Sequence, residues 1–425
     1  MICLIIFGLY IVLVNSQFPA NSWIDLMTSA SSSISLDFEK VQAFELKPSN
    51  KFPCQRNRRG RCGMICTCIE TKTQENQKSE NRRYCCRQRK DWDSLSHVEK
   101  TRFLRAVYDI ATGRRGWFRR NRYVRLLYIH EQYWLTTIHQ RIQFFPWHRI
   151  YLLKMENLLR SVDCRVTIPY WDWTKNPSRW WESSIFSWSY FGSNTDPITG
   201  FLTNEAQCPT NGYFAEQGWF RDTRNECLVR QFDYSVSPAS YLRIQRILSW
   251  TNFQRFESAL RHEHGVPHFI VGGEDTGLFF SERAAEDPLF WLHHCNVDYQ
   301  WYQRQTRYLN TRNEFWGESN VKDNRLTAFG ETIEQAINPY RQGIGGTCVE
   351  YVENDERYEQ MLANLRSQGR MGSLSFGSAY TATTASRVEC MKRSHRFPPQ
   401  IFTIFRTSPA ERNEFTRNRN EGGDC

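Results

Sequence analysis

Apolar residues recur at helical spacing in several stretches of this chain, and most of these stripes run into a histidine. Tyr123 and Leu127 share a face with His130 in a helix expected over Arg122–Tyr133. His148 opens a stripe continued by Leu152, Met155 and Leu159, in a helix expected from Pro146 to about Ser161. A long helix is expected from about Ala239 to His264, with Phe253, Phe256 and Leu260 facing inward. Pro267 should end or kink it just before His268. Asp287-Pro288 has the pattern of an N-cap followed by a first-position proline, and Phe290, Val297 and Trp301 of that helix lie on the face of His294. Ser96 to Glu99 form a capping box ahead of Phe103, Leu104 and Val107. From Pro169 to Ser237 turn residues dominate, so the pattern predicts a mainly α fold with long loops.

The ends of the chain have a different texture. The apolar run Ile2–Val14 is too short to cross a bilayer comfortably and is followed by small and polar residues, so residues 1–16 are expected to be a signal peptide and the protein to be secreted. Residues 17–90 divide into a Ser-rich arm and a Cys- and Arg-rich module. Residues 91–340 hold the helical domain, and 341–425 are expected to be a separate C-terminal extension. No later segment has the character of a membrane span. Of fourteen cysteines, Cys3 leaves with the signal and Cys295 suits a buried free thiol. The remaining twelve are disulfide candidates, among them Cys208 and Cys227 in the long loops. With 15 Trp and 28 Phe, the chain is expected to build a dense aromatic core. Its net charge of +10 is interleaved with acidic residues, which disfavours a nucleic-acid partner and suits an acidic extracellular matrix or another anionic surface.

Helical phase sorts the ten histidines. His130, His139, His148, His264, His268 and His294 point inward. His262 falls on the opposite face beside Arg261 and Glu263, and His293 on a more polar face with Asn296 and Gln300, from which it could still support a ligand from behind. His97 and His395 are expected in solvent. Burying six imidazoles without partners would cost several kcal/mol, so a shared partner is expected. Spacing divides them into His130-x8-His139-x8-His148 and His264-x3-His268-x25-His294. Two metal ions with three nitrogens each satisfy both triplets, a ligand set that suits zinc or copper. No HExxH motif and no bridging carboxylate is present, which favours a copper pair.

These residues also carry a family resemblance. FFPWHRIYLLKME (Phe144–Glu156), with His139 and His130 upstream, resembles the first copper-binding signature of tyrosinases and molluscan-type haemocyanins. DPLFWLHHCNVD (Asp287–Asp298) resembles the second signature, in which the second histidine of the pair, His294, is the ligand. FESALRHEHGVPHFIVGG (Phe256–Gly273) resembles the segment supplying His264 and His268, and IPYWDWT (Ile168–Thr174) the family's intervening loop. The resemblance implies a four-helix bundle around two copper ions held by the six histidines. It further implies O2 as co-substrate and oxidation of catechols, and of monophenols in some members, to o-quinones. Asp298, one turn after His294, is expected to orient an imidazole. The Cys- and Arg-rich module, the RKDWDSL entry and the PYWDWT loop look most like secreted molluscan tyrosinase-like shell-matrix proteins. That likeness implies pigmentation or matrix cross-linking, with a phenolic or catecholic small molecule or a protein tyrosine as substrate.

Three positions depart from the family pattern. Thr137 stands where many members have a cysteine joined to histidine by a thioether. Gly265 stands where an asparagine often assists monophenol deprotonation, and Arg261 where a glutamate is often found. These departures favour oxidation of catechols over monophenols. Haemocyanin-like O2 binding and a catalytically silent matrix protein are the alternatives.

Overall fold

A computed structural model of the protein describes residues 65–72, 79–139, 142–195, 203, 205–215, 227–273, 277–307, 315 and 324–352; for 65–72 and 79–85 it describes the backbone alone. The chain divides into Met1–Phe44 and Glu45–Cys425, and every described residue belongs to the second unit. The expected signal peptide, the Ser-rich arm, His395, Cys54, Cys62, Cys390 and Cys425 lie outside the described residues.

The described part is mainly helical. Helix α1 (His97–Ala111) opens with the expected capping box, Ser96 and Glu99 each accepting from the other's backbone N–H. Helix α2 (Trp117–Tyr133) follows Gly116 and runs into a π turn, Trp134–Ile138. Helix α3 (Phe144–Arg160) has Pro146 in its first turn, where the missing N–H costs no helix bond. Helices α4 (Tyr241–Leu248) and α5 (Phe253–Gly272) replace the single long helix expected from Ala239. The break has a local cause: Ser240 and Asn252 each cap a helix start, their side chains accepting from the N–H groups of Arg243 and Arg255.

Pro267 neither ends nor interrupts α5, contrary to expectation. An interior proline costs about 3 kcal/mol in an exposed helix. Here every residue from Ala259 to Gly272 is buried, so packing outweighs the lost hydrogen bond. The N–H groups of Asp233 and Gln231 donate to the carbonyls of Ile270 and Val271, bonding the end of the helix. Helix α6 (Leu289–Arg307) starts as expected at Asp287, which accepts from the Leu289 N–H at 3.0 Å and also grips Arg230 through both oxygens, at 2.7 and 2.9 Å. Helix α3 packs on α2 and α6, and α5 on α6; these four helices carry five of the six inward histidines, and His139 follows the π turn.

Three strands and a disulfide bind the ends of the domain. Strand β1 (Ile65–Lys72) pairs antiparallel with β2 (Ser79–Lys90), whose last residues, Arg87 to Lys90, pair in parallel with β3 (Val349–Val352). Cys86–Cys348 joins the same two segments, Cys208–Cys227 clips the long loop as expected, and Cys295 is buried and free. Val349 and Tyr351 are buried, so the boundaries expected at residues 90 and 340 fall inside packed structure.

A buried charge network lies beneath these strands. Asp298 of α6 accepts from Arg149 Nε at 2.6 Å, Arg89 Nη1 at 3.2 Å and the Tyr351 hydroxyl at 2.6 Å. Glu156 of α3 accepts from Arg89 Nε at 2.9 Å and Arg87 Nη1 at 3.0 Å. Burial alone would raise the Glu156 carboxyl pKa, but the two guanidiniums hold it below the usual carboxylate value. Helices α3 and α6 are therefore fixed to each other and to β2 and β3 by charge as well as by apolar packing.

Candidate metal centre

The four helices bring the histidines into two adjacent groups. His130, His139 and His148 form one; His264, His268, His293 and His294 form the other, with potential ligand atoms within 4.8 Å of one another in each group. The groups touch across the bundle: the His148 and His294 rings stack at 4.3 Å with planes 7° apart, and His139 lies 5.7 Å from His264. Phe290 packs on His294 at 4.1 Å and on His130 at 4.8 Å, walling the centre from one side.

Backbone carbonyls fix five of the six expected ligands in one orientation. Nδ1 of His130 bonds the Glu282 carbonyl at 3.1 Å, His139 that of Trp134 at 2.8 Å, and His148 that of Phe144 at 2.8 Å. His264 Nδ1 bonds the Arg261 carbonyl at 3.0 Å and His268 Nδ1 the Phe279 carbonyl at 2.6 Å. A carbonyl only accepts, so Nδ1 carries the proton and the Nε2 lone pair is left for another partner. The Trp134 carbonyl is supplied by the π turn. The Phe279 carbonyl is supplied by a loop that meets α5 at Gly272, where an added Cβ would lie 2.3 Å from the Phe280 nitrogen.

The donor set fits copper. Nε2 of His130 and of His148 is buried with no hydrogen-bond partner, and Nε2 of His268 and His294 lie 3.2 Å apart. Lone pairs that converge in this way, from imidazoles held by carbonyls on the far nitrogen, are what a borderline metal ion requires. Burial pushes all these rings toward the neutral form: His139 down to about 4, His268 to about 3, and His130, His148, His264 and His294 well below the ordinary histidine value.

Neutral burial has a consequence for the metal-free protein. Between the depressed folded values and the ordinary value of 6.5, the unfolded chain binds more protons than the folded one. Stability is therefore full above pH 6.5 and is lost as pH falls toward 4 and 3. Urea unfolding of copper-free protein should show a loss of roughly 1.4 kcal/mol per pH unit for each such ring within that window. A flat stability profile from about pH 7 to about pH 5 would contradict neutral burial.

Four sequence expectations need correction or completion. His293 is fully buried within the second group, its ring stacked 5.3 Å from His264, because Asn296 and Gln300 on its face are buried too. His262 is also buried, its Nδ1 bonded to the Ser258 carbonyl, but it belongs to neither group. Asp298 does not reach an imidazole; its partners are Arg149, Arg89 and Tyr351. Gly265 is buried in α5 beside His264 and brings no side chain to the centre. Thr137 sits in the π turn before His139, and a hydroxyl cannot form a thioether. His97 is exposed, as expected. A cleft reaches both groups, lined by His130, His139 and His268 together with Trp134, Phe279 and Phe280.

Residues 120–307 match a known family, the common central domain of tyrosinase. These residues form a tyrosinase central domain. The tyrosinase of Streptomyces glaucescens is 28% identical over 242 residues, covering 52% of this chain and 83% of that protein. An A-type hemocyanin of Enteroctopus dofleini, units Ode to Odg, is 32% identical over 169 residues, covering 39% of this chain and 13% of that one. A functional unit of octopus hemocyanin aligns with 66% of this chain and 73% of its own, at 21% identity and a TM-score of 0.43. The cofactor of the tyrosinase domain is a pair of copper ions, and the chain is a copper oxidoreductase of the tyrosinase type.

Proposed function

We propose that this tyrosinase domain is a secreted phenol oxidase that uses O2 to convert catechols to o-quinones, with His130, His139 and His148 holding one copper and His264, His268 and His294 the other. The observation that carries the assignment is the convergence of buried, neutral imidazoles, five of them held by carbonyls, from four helices and the π turn beneath an aromatic cleft. Bound copper would supply the electron transfer between phenol and O2. The protein supplies position. Trp134, Phe279 and Phe280 give the cleft aromatic walls, and His130, His139 and His268 line its inner surface; at about 20 Å³ it is smaller than a phenol, so these rings must part to admit one. The Nδ1 bonds to carbonyls keep five of the six rings from rotating, so their lone pairs stay aimed inward. In the overall balance each catechol loses two electrons and two protons, and O2 accepts four of each to become water.

A monophenol needs a base at the cleft to remove its single proton. Gly265 brings no side chain, and this supports a preference for catechols. Oxygen uptake measured with a monophenol and with its catechol tests the assignment: rapid uptake with the catechol alone is expected. Gly265→Asn should raise monophenol oxidation by roughly tenfold or more while changing catechol oxidation little. An oxygenated form with intense near-ultraviolet absorption and no turnover of any phenol would instead favour O2 binding, the property suggested by the octopus hemocyanin similarity. A role in pigmentation or matrix cross-linking follows from the secretory character of residues 1–16 and the reactivity of o-quinones.

A further inference from the structure

Helix α2 carries His130 at one end and a very different surface at the other. The segment RRGWFRRNRYVR (Arg114–Arg125) holds six arginines and no acidic residue. Trp117 and Phe118 stand side by side at the helix start, 73% and 67% exposed, and Tyr128 continues the same outer surface at 55%. Folded proteins rarely present adjacent bulky aromatics to water without a partner. Arg114, Arg122 and Arg125 are exposed and have no ion pair among the described residues. Arg122 lies over the Phe118 ring at 5.9 Å and Arg114 over Tyr108 at 4.7 Å, so the cations flank the aromatics.

A cleft beside this tip adds to the charge. Its volume is about 730 Å³, and its lining includes Arg102, Arg105, Arg115 and Arg165 against Asp109 and Asp163. Four guanidiniums face two carboxylates, an excess of two positive charges. Arg119 and Arg120 add two more cations in the first turn of α2, where the positive end of the helix dipole already repels them. Sequence and fold thus gather positive charge around a protruding apolar tip.

We propose that this face docks the protein on an anionic phospholipid surface, with Trp117 and Phe118 entering the headgroup layer and the surrounding arginines pairing with lipid phosphates and carboxylates. A lipid interface fits better than a rigid polymer for a steric reason. The two rings project from the surface, and a fluid bilayer yields around a projection. Arginine stems and aromatic rings both suit the boundary between headgroup and acyl chain. The thirteen residues from Trp117 to His130 rise by roughly 20 Å along the helix, so docking would hold the copper centre at a fixed depth behind the membrane surface.

Sedimentation of the copper-loaded full chain with phosphatidylcholine vesicles, with and without phosphatidylserine, tests the proposal. Binding is expected only with the anionic lipid and should fall as salt rises. The double variant Trp117→Ser/Phe118→Ser should lower vesicle partitioning by about tenfold or more. Arg122→Gln/Arg125→Gln should lower it by a similar factor. Trp188→Ser removes an equally exposed tryptophan, 78% exposed, and should change nothing. If the aromatic variant does not fold, the arginine variant and the salt titration carry the test. Equal partitioning of all variants, or retention on a heparin column without vesicle binding, would overturn the proposal; the second outcome would give the face to a sulfated polysaccharide.

Discussion

Replacing His148 or His294 with alanine is expected to strip the protein of copper and abolish catechol turnover. These rings stack on each other where the two histidine groups meet, so each loss disturbs both. Substituting an outer partner of a metal ligand typically costs 10- to 100-fold in affinity, and loss of the ligand should cost at least about 100-fold. Metal analysis after dialysis, together with loss of the oxygen-dependent near-ultraviolet band, provides the measurement. His262→Ala serves as the control, because His262 is equally buried but lies outside both groups. It should lower stability through the cavity it leaves and retain copper. The opposite pattern, with copper lost in His262→Ala and kept in His294→Ala, would reassign the ligands.

The second large effect is expected at Asp298. Its carboxylate is the common acceptor for Arg149, Arg89 and Tyr351. Asp298→Ala leaves two guanidiniums buried near one another with Glu156 as the remaining carboxylate, bonded to Arg89. Breaking a buried pair from one side costs about 3–5 kcal/mol, a large share of the 5–15 kcal/mol that holds a typical domain together. Urea unfolding of copper-free protein should record that loss, with a smaller one for Asp298→Asn, which keeps the shape and one acceptor. If Asp298→Asn keeps full stability but weakens copper binding, the carboxylate acts on a histidine after all, and the network is not its role.

The copper centre was readable from sequence wherever a helix has one wet face. His130 and His148 follow apolar stripes on α2 and α3, and the phase of those stripes placed both rings correctly. On α5 and α6 phase placed His264, His268 and His294 inward as the structure has them, but missed the burial of His262 and His293. Nearly every side chain of α6 is buried, so Asn296 and Gln300 did not mark a solvent face and His293 was misjudged. The same burial lets α5 continue through Pro267, where local propensity calls for a stop. On the same segment the apolar period across Asn252 conceals the break between α4 and α5. The carbonyls that hold the imidazoles were not legible at all. Glu282 and Phe279 act through backbone oxygen, which any residue carries, and Glu282 reaches His130 from 152 positions away. The partners of Asp298 were hidden in the same way, since Arg89 is 209 positions from it.

The pairing of β2 with β3 bears on the order in which the protein can be completed during synthesis. Strand β2 is made before any of the copper-binding helices, whereas β3 and Cys348 are made after all of them. A chain still on the ribosome past Arg307 has all six proposed ligands, yet Asp298 lacks the Tyr351 hydroxyl and Arg89 lies on a strand whose outer neighbour is missing. Helices α3 and α6 can meet at that stage without being clamped. Copper delivered to the nascent chain would find a loose cage, and a tight one forms only once residue 352 has been translated and the 262-residue span between Cys86 and Cys348 has been closed.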